Sequence, residues 1–457
     1  MSVPSDDSIS APCIFLGNFD QGIQLSPRVF VPNIDDAFVG RTVGALALKC
    51  MEVAPRAVHL IGPDEAAVLY QPLPPSYAEY CERLYGYVPL VFSPRRQYEN
   101  LEEPLSLLTW VLEDERLLAE IARFGSERGL VLDPFIGNPL VFDLARRTGL
   151  PVSGISERDV LRGVVGDLND KALFQVVCRE LGIPVVPSVH VTGWDALVAE
   201  AESQFKRNDA VMLRRSRAAG GLGNCEVSSA IVRAARCETV RAYLERALTP
   251  REEWSTETVL VEPVLNIVAS PGALYHAAPD GRVAAVTIAD QVIENMCFLG
   301  SEYPTACDSS LRRRMTELGM RYAEAFVAMG GVGYFNVDWG ITDAGDLVAF
   351  ESNARYTGCI HGLEAMRRLG ASDACAWSND ALKVHPSTRF EKVDAFLRRD
   401  GIGWNNDRKE GVVATIPPAG VGQKKTIGCI AIASTRARVA ELRASMTAFA
   451  RSTFSGS

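Results

Sequence analysis

The chain has 457 residues, of which 47% are hydrophobic and 23% charged, and its formal net charge at pH 7 is −9. This length predicts roughly two to four domains, and the composition is typical of a globular enzyme. The acidic balance argues against nucleic acid and anionic membranes as partners, because the basic runs are short. No apolar run is long enough to cross a bilayer.

The cysteines and the first residues bear on the compartment. The 11 cysteines are odd in number and never spaced C-x-x-C, so we expect reduced thiols and no zinc site. The first residues lack the basic and then apolar order of a signal peptide, and we expect a cytoplasmic protein. None of the five histidines has a Ser or Cys in a nucleophile setting, which argues against Ser-His-Asp and Cys-His chemistry.

Residues 1–165 alternate short apolar runs with helical stretches. Strands are predicted at 13–16, 57–61 and 129–132, and a helix is predicted at 104–124. This alternation predicts an N-terminal α/β domain.

Residues 166–371 form the predicted second domain. Asn169 or Asp170 can cap a helix that starts at Lys171 and ends at Gly182. Lys171 is a cation at a helix start, where the helix dipole disfavours it. It is therefore either an ordinary surface lysine or a residue kept there for a function.

A strand predicted at 210–213 leads into Arg214 and a turn that contains Gly220, Gly221 and Gly223. Glycines let backbone N–H groups approach phosphates closely, and neighbouring arginines suit a polyphosphate. The alternative is a plain flexible loop.

Three further elements follow in chain order. A strand is predicted at 258–265, a hairpin turn at 279–281 and a helix at 311–326. Glu262, near the end of that strand, is either a solvated end residue or part of a hinge with Val264. Such a hinge would present backbone groups to an adenine edge.

The strongest pattern is the segment 333–355, which reads as two apolar strands joined by a short turn. With a two-residue turn, Asp338 lies opposite Glu351, and Asn336 opposite Asn353. Two opposed carboxylates, roughly 5 Å apart at Cβ, repel each other unless a cation lies between them. Together with the Asn353 amide they suit Mg²⁺ bound with nucleotide phosphates. The alternative is a hairpin with solvated polar faces.

Arg355 lies two residues beyond Asn353 and on the same face if the strand continues. It could neutralise a phosphoryl group or a developing oxyanion. The alternative is a structural pair with Glu351.

Residues 372–457 form the predicted C-terminal unit. A strand is predicted at 411–416. It is followed by a final helix with apolar residues at helical spacing: Val439, Leu442, Met446 and Phe449. These elements predict a small α/β unit.

Taken in order, these elements resemble the ATP-grasp superfamily. That family has a lysine at a helix start, a strand with a cationic end before a glycine loop, and a glutamate on a hinge strand. An acid–acid–asparagine hairpin with a nearby arginine comes last. The resemblance covers roughly residues 166–370. It implies an α/β chain with a central grasp fold between a pre-ATP-grasp domain and a small C-terminal domain.

The resemblance also implies cofactors and roles. The cofactors are ATP and Mg²⁺. The implied contacts are Lys171, Arg214, Gly220, Gly221 and Gly223 for phosphate, Glu262 and Val264 for adenine, Asp338, Glu351 and Asn353 for Mg²⁺, and Arg355 for the reacting carbonyl.

The hairpin spacing is like that of D-alanine ligases, and the Asn-x-Arg sequence is like that of biotin carboxylase. Over its full length the chain looks similar to bacterial peptide ligases of the pheganomycin-ligase type. This implies a ligase that joins an amino-acid or peptide carboxylate to an amine through an acyl phosphate. It also implies small-molecule substrates and allows a homodimer. The alternatives are a phosphotransferase with a stable phosphorylated product and a non-catalytic nucleotide-binding regulatory protein.

The chain departs from the family pattern at three places. Arg214 stands where many members have a second lysine, and Asn336 stands where an arginine is frequent. The segment 266–271 offers no carboxylate for a ribose.

Overall fold

The computed structural model describes residues 25–38, 42–98, 102–294, 296–419 and 425–454. Strands within these ranges form three sheets, and helices cover them. No helix in the described ranges has the length and apolar character needed to cross a membrane.

The first sheet is parallel, with the strand order β3-β2-β1-β4. Its strands are β1 (Arg28–Val31), β2 (Ala66–Val68), β3 (Leu90–Phe92) and β4 (Val131–Pro134). The helices of this part are α1 (Gly44–Val53), α2 (Pro75–Tyr85), α3 (Leu107–Glu113), α4 (Glu115–Arg128), α5 (Pro139–Thr148), α6 (Glu157–Leu161) and α7 (Val164–Leu168). Helices on a parallel sheet confirm the α/β prediction for this part of the chain.

Two predictions for the N-terminal part need correction, and a third lies outside the described residues. The strand predicted at 57–61 is wrong, because Ala54–Leu60 is a 3₁₀ helix with a proline in its first turn. A short apolar run fits a buried helix as well as a strand, and a proline in the first turn favours the helix. The helix predicted at 104–124 is two helices, because Asp114 caps α4 by accepting a hydrogen bond from Leu117 N at 3.1 Å. The strand predicted at 13–16 lies outside the described residues.

The second sheet is antiparallel, with the order β5-β8-β6-β7. Its strands are β5 (Val189–Thr192), β6 (Ala210–Arg215), β7 (Asn224–Ser228) and β8 (Thr258–Pro263). The helices here are α8 (Lys171–Glu180), α9 (Trp194–Asn208), α10 (Ser229–Ala234), α11 (Val240–Ala247) and α12 (Arg251–Thr256). The predicted helix after Asp170 and the predicted strands at 210–213 and 258–265 are confirmed.

The third sheet is antiparallel and has nine strands in the described residues. They are β9 (Ile267–Ala269), β10 (Pro271–Ala277), β11 (Val283–Glu294), β12 (Cys297–Tyr303), β13 (Gly333–Thr342), β14 (Leu347–Asn353), β15 (Cys375–Val384), β16 (Gly411–Ala419) and β17 (Lys425–Ala433). The helices are α13 (Ser309–Ala328), α14 (Ile360–Arg368), α15 (Phe390–Arg399) and α16 (Arg436–Ser452).

The C-terminal strands continue the third sheet. β15 pairs with β12, where Glu302 lies opposite Trp377, and β17 and β16 follow outward. The strand predicted at 411–416 and the final helix are therefore confirmed, and the apolar positions of that helix are buried. The division of the chain at 165 and 371 stays a prediction.

Candidate active site

The hairpin of β13 and β14 has the predicted register at the polar residues. Asp338 pairs with Glu351, and Asn336 with Asn353. The turn is longer than predicted, since Thr342 N donates to Asp346 O at 2.9 Å and leaves three residues between them. A register shift after Asp338 leaves one extra residue on β14, and this bulge cancels the longer turn.

The bulge residue is Phe350, and it contributes to the site. Its carbonyl oxygen accepts a hydrogen bond from Arg214 Nη2 at 3.3 Å, and its ring lies 5.6 Å from the Arg214 guanidinium carbon. Gly340 makes room for that ring, because a Cβ there would meet Phe350 Cε2 at 2.5 Å. The bulge therefore ties the hairpin to the second sheet.

Asp338 is surrounded by amide groups. Gln291 Nε2 donates to Oδ1 at 2.6 Å, Asn336 Nδ2 donates to the same oxygen, and Asn353 Nδ2 donates to Oδ2 at 3.0 Å. Burial raises the pKa of the Asp338 carboxyl, and the charge of Glu351 raises it further. No ion pair within 4 Å reaches Asp338 from the described residues.

Glu351 lies among cations. Its Oε2 is 3.1 Å from Lys171 Nζ and 3.1 Å from Arg214 Nη2. Burial raises the pKa of the Glu351 carboxyl, but Lys171 and then Arg214 outweigh burial, so that the pKa falls below its ordinary value. The two opposed carboxylates therefore differ in environment, and their pKa values shift in opposite directions.

Lys171 is buried at the first position of α8. Asp170 caps this helix by accepting hydrogen bonds from Ala172 N and Leu173 N, both at 3.0 Å. The Lys171 ammonium also donates to Ala218 O of the glycine loop. Burial lowers the pKa of Lys171, while Glu351 opposes that shift. The surface-lysine alternative is excluded by this burial.

Arg214 bridges two sheets through both ends of its guanidinium. While Nη2 contacts Glu351, Nη1 lies 3.4 Å from Glu262 Oε2. Glu262 is buried and also accepts a hydrogen bond from Gln175 Nε2 at 2.7 Å. The alternative of a solvated strand end is therefore excluded for Glu262. Val264, two residues further on, is exposed.

The glycine loop lies between two other parts of the molecule. Gly220 and Gly221 have φ values of +64° and +80°, which favour glycine. A Cβ on Gly221 would meet Met296 O at 2.5 Å, and one on Gly220 would meet Phe38 Cε1 at 3.2 Å. A side chain at either position would therefore collide with the hairpin of β11 and β12 or with the N-terminal part.

Gly223 closes the loop against its own start. A Cβ there would meet Ala218 Cβ at 2.3 Å and Arg215 Cβ at 2.9 Å. Arg215 N donates to Gly223 O at 2.9 Å, which brings the loop back onto β6.

Arg355 is held by Asn169 after β14 has ended. Arg355 Nη1 donates to Asn169 Oδ1 at 2.6 Å, and Ala354 N donates to the same oxygen at 3.0 Å. Burial lowers the pKa of Arg355, and the charges of Glu351 and Asp338 oppose that shift. No ion pair within 4 Å joins Arg355 to Glu351 in the described part of the chain, so the structural-pair alternative is wrong.

Three supporting residues were not predicted: Gln291 beside Asp338, Asn169 beside Arg355 and Gln175 beside Glu262. Asn169 was considered only as a helix cap. Gln291 reaches the hairpin across Gly272, whose Cβ would lie 3.1 Å from Gln291 Nε2. No local pattern identifies such contacts, because each joins segments far apart in sequence.

The donor set fits Mg²⁺. In the described residues no group of three or more His, Cys, Asp or Glu side chains is arranged for a metal ion, so the candidate set is two carboxylates and one amide. The Asn353 amide nitrogen lies 3.0 Å from Asp338 Oδ2 and 3.4 Å from Glu351 Oε1. A half-turn of this amide exchanges its nitrogen and oxygen, giving three converging oxygen donors.

Solved structures identify the fold. An N5-carboxyaminoimidazole ribonucleotide synthetase in complex with ADP matches over 93% of this chain and 98% of that one, with a TM-score of 0.54 and 13% identity. A biotin carboxylase from Campylobacter jejuni in a β-γ-ATP complex matches over 92% and 91%, with a TM-score of 0.55 and 14% identity. The chain therefore has the ATP-grasp fold, which confirms the resemblance inferred from its motifs.

One further solved structure and one curated protein are also similar to this chain. The biotin carboxylase domain of Hydrogenobacter thermophilus 2-oxoglutarate carboxylase, a dimer with MgADP, ADP and bicarbonate, matches over 93% of this chain and 90% of that one, at 16% identity and a TM-score of 0.53. Among curated proteins, an L-propargylglycine–L-glutamate ligase from Streptantibioticus cattleyicolor is 27% identical over 337 residues, 66% of this chain and 67% of that protein. No protein-family model matches the chain.

Proposed function

We propose that this protein is an ATP- and Mg²⁺-dependent ligase that joins an amino-acid or peptide carboxylate to an amine. The observation that carries the proposal is that two buried cations, two opposed carboxylates and one further arginine lie close together. Relatives support it: the curated one is named as a ligase of two amino acids, and solved neighbours hold ADP or MgADP.

The first step activates the acid. Lys171 and Arg214 release Glu351 and bind phosphate oxygens instead. The loop of Gly220, Gly221 and Gly223 donates backbone N–H groups to the same phosphates. Asp338, Glu351 and Asn353 hold Mg²⁺, which neutralises phosphate charge when bound. The substrate carboxylate then attacks the γ-phosphorus, the bond to ADP breaks, and an acyl phosphate forms.

The second step makes the amide. The neutral amine attacks the acyl carbon, the bond to phosphate breaks, and the nitrogen gives its extra proton to water. Arg355, held by Asn169, stabilises the oxyanion of the tetrahedral intermediate. Adenine lies against the backbone of the segment from Glu262 to Val264.

The test is ATP turnover with Mg²⁺, a panel of amino acids and dipeptides, and hydroxylamine as a trap. ADP, free phosphate and a hydroxamate together are expected, and mass spectrometry of the hydroxamate names the activated acid. AMP with pyrophosphate would contradict the mechanism. ADP without free phosphate would indicate the phosphotransferase, and ATP binding without any turnover would indicate the regulatory protein.

Arg355→Ala separates the second step from nucleotide binding. Ligation should fall by about 10²- to 10³-fold, because one oxyanion donor is lost, while the Kd for ATP changes little. Arg313→Ala is the matched control, since Arg313 is an exposed arginine of α13. Ligation by Arg355→Ala at the wild-type rate would remove this arginine from the mechanism.

A homodimer belongs to the same proposal, because one neighbour is a dimer. Light scattering of the purified protein should give twice the mass of the chain. A monomer at micromolar concentration would contradict it.

A further inference from the structure

A cleft lies away from the candidate active site. It is formed where α2, the C-terminal end of α14, and α15 with its following loop meet. Its volume is about 760 Å³. Asp394 is the one carboxylate among its described lining residues, whereas five cations line it: Arg83, Arg367, Arg368, Arg398 and Lys409. Arg367 and Arg368 pair with Glu364, and Arg368 also pairs with Glu65, so that the excess charge comes from the other three. The cleft therefore has an excess of positive charge.

The charge balance follows from the ion pairs. Asp394 Oδ2 is shared between Arg83 Nη2, at 2.7 Å, and Arg398 Nη2, at 3.2 Å. One carboxylate thus serves two guanidinium groups. No carboxylate of the described residues lies within 4 Å of Lys409 Nζ, which donates to Leu369 O at 3.1 Å and Asn406 Oδ1 at 2.8 Å. About two positive charges are left without a counter-charge.

The backbone holds Lys409 in place. Its φ is +52°, a left-handed conformation that is uncommon for a residue with a side chain. Such conformations persist where the surrounding structure imposes them, and they concentrate at ligand sites. The hydrogen bonds to Leu369 O and Asn406 Oδ1 hold the ammonium close to the C-terminal end of α14.

The walls of the cleft are aromatic. Tyr85 and Tyr87 stack with their ring centroids 5.9 Å apart, and Trp404 lines the same cleft. Aromatic side chains with arginines beside them suit a flat ring that carries phosphate groups. A second copy of the chain suits it less, because a two-fold contact would place this cationic surface against itself.

We propose that this cleft binds a small molecule with two or more negative charges and a flat ring, of the nucleoside-phosphate class. The site is separate from the candidate active site, since α14 begins beside the Arg355 segment and ends at the cleft. The helix is nine residues long, which is about 13 Å along its axis. The inference does not depend on the proposed ligase activity.

The probe is 4-nitrophenyl phosphate, a dianion on a flat ring at pH 8, titrated calorimetrically into the full-length protein. Saturable binding with a Kd below about 1 mM is expected. Inorganic phosphate should bind at least about fivefold more weakly, because it has no ring to stack. Absence of binding below 1 mM overturns the proposal, and equal binding of the two probes overturns the aromatic part of it.

Variants locate the binding. The double variant Arg398→Gln with Lys409→Gln should weaken the probe at least about tenfold, because two charge-assisted contacts are lost. The control, Arg399→Gln with Lys392→Gln, removes the same charge from exposed positions of α15 that do not line the cleft. It should bind as the wild type does.

Two outcomes overturn the location or the occupant. Wild-type affinity in the Arg398→Gln, Lys409→Gln variant would mean that the probe binds elsewhere. If the wild type is a dimer that binds no probe, and the same variant is a monomer, the cleft is a contact between copies of the chain. Thermal unfolding of both double variants shows that each is folded when measured.

Discussion

Two buried ionic clusters of this protein are built differently. The site cluster consists of Lys171, Arg214, Glu351 and Asp338, and two cations there share one carboxylate while the other faces amides. The junction cluster consists of Arg56, His361 and Asp380, and it joins the N-terminal part to α14 and β15. There Arg56 Nη1 lies 2.9 Å and His361 Nε2 lies 3.3 Å from the single carboxylate of Asp380.

The pKa directions show what the difference means. Burial raises the pKa of Asp380, but His361, Arg56 and Lys49 outweigh burial and lower it below the ordinary range. Burial and Glu351 instead raise the pKa of Asp338. In the junction cluster Arg56 lies 2.9 Å from the shared carboxylate, whereas no side-chain cation of the described residues lies within 4 Å of the Asp338 carboxylate. A metal ion would supply a positive charge there, and phosphates would take over the cations on Glu351.

Removing both carboxylates of the hairpin should have the largest effect. Asp338→Asn combined with Glu351→Gln should lower Mg²⁺-dependent ADP release at least about 10³-fold, because both charged metal ligands are lost. Asp346→Asn, an exposed carboxylate in the same hairpin, is the control and should turn over normally. Steady-state ADP release checks this. A double variant that remains active would disprove the assignment of the metal site.

Breaking the junction cluster should affect stability instead. Asp380→Asn leaves Arg56 without its carboxylate in a buried place and should cost about 3–5 kcal/mol of unfolding free energy. Urea unfolding measures the loss, with the exposed Asp373→Asn as control. The KM for ATP should stay unchanged while the variant is folded. A stable variant with a changed KM would show that the junction serves the active site.

Arg214→Lys tests the departure from the family pattern. One ammonium group cannot reach Glu262, Glu351 and the Phe350 carbonyl together, so the KM for ATP should rise about tenfold. The control is the neighbouring Arg215→Lys, because Arg215 pairs with Glu253 and Glu257. This variant should change thermal stability alone. An unchanged KM for Arg214→Lys would mean that one charge suffices there.

The smallest effect concerns pH and His59, beside the junction cluster. Burial lowers the pKa of His59 to about 3, and the charges of His361 and Arg368 add to the shift. Since the unfolded imidazole titrates near pH 6.5, its stabilising contribution is complete above that pH and is lost as the pH falls toward 3.

The unfolding free energy should therefore fall by up to about 1.4 kcal/mol per pH unit below pH 6 on account of this residue. His59→Gln should show a shallower decline, because glutamine does not titrate. Urea unfolding from pH 7 to pH 5 measures both slopes. Equal slopes for the variant and the wild type would contradict a neutral buried His59.

Local patterns predicted the elements that are long or carry a strong turn signal. The alternation of β13 and β14, the cap of α8 and the apolar spacing of α16 are properties of neighbouring residues, and the structure confirms them. The strand prediction for 57–61 was wrong because a short run of buried apolar residues fits either a strand or a 3₁₀ helix. The hairpin register was right at Asp338 although its turn was wrong, since the bulge at Phe350 compensated.

The sequence by itself determined the order of the motifs and the strand alternation that puts Glu351 and Asn353 on one face, because both depend on residues close together in the chain. Only the tertiary structure decided that Lys171 and Arg214 both reach Glu351, that side-chain amides donate to Asp338, and that Asn169 holds Arg355. These contacts join residues up to 186 positions apart. Their charges interact strongly only because folding removes water from between them.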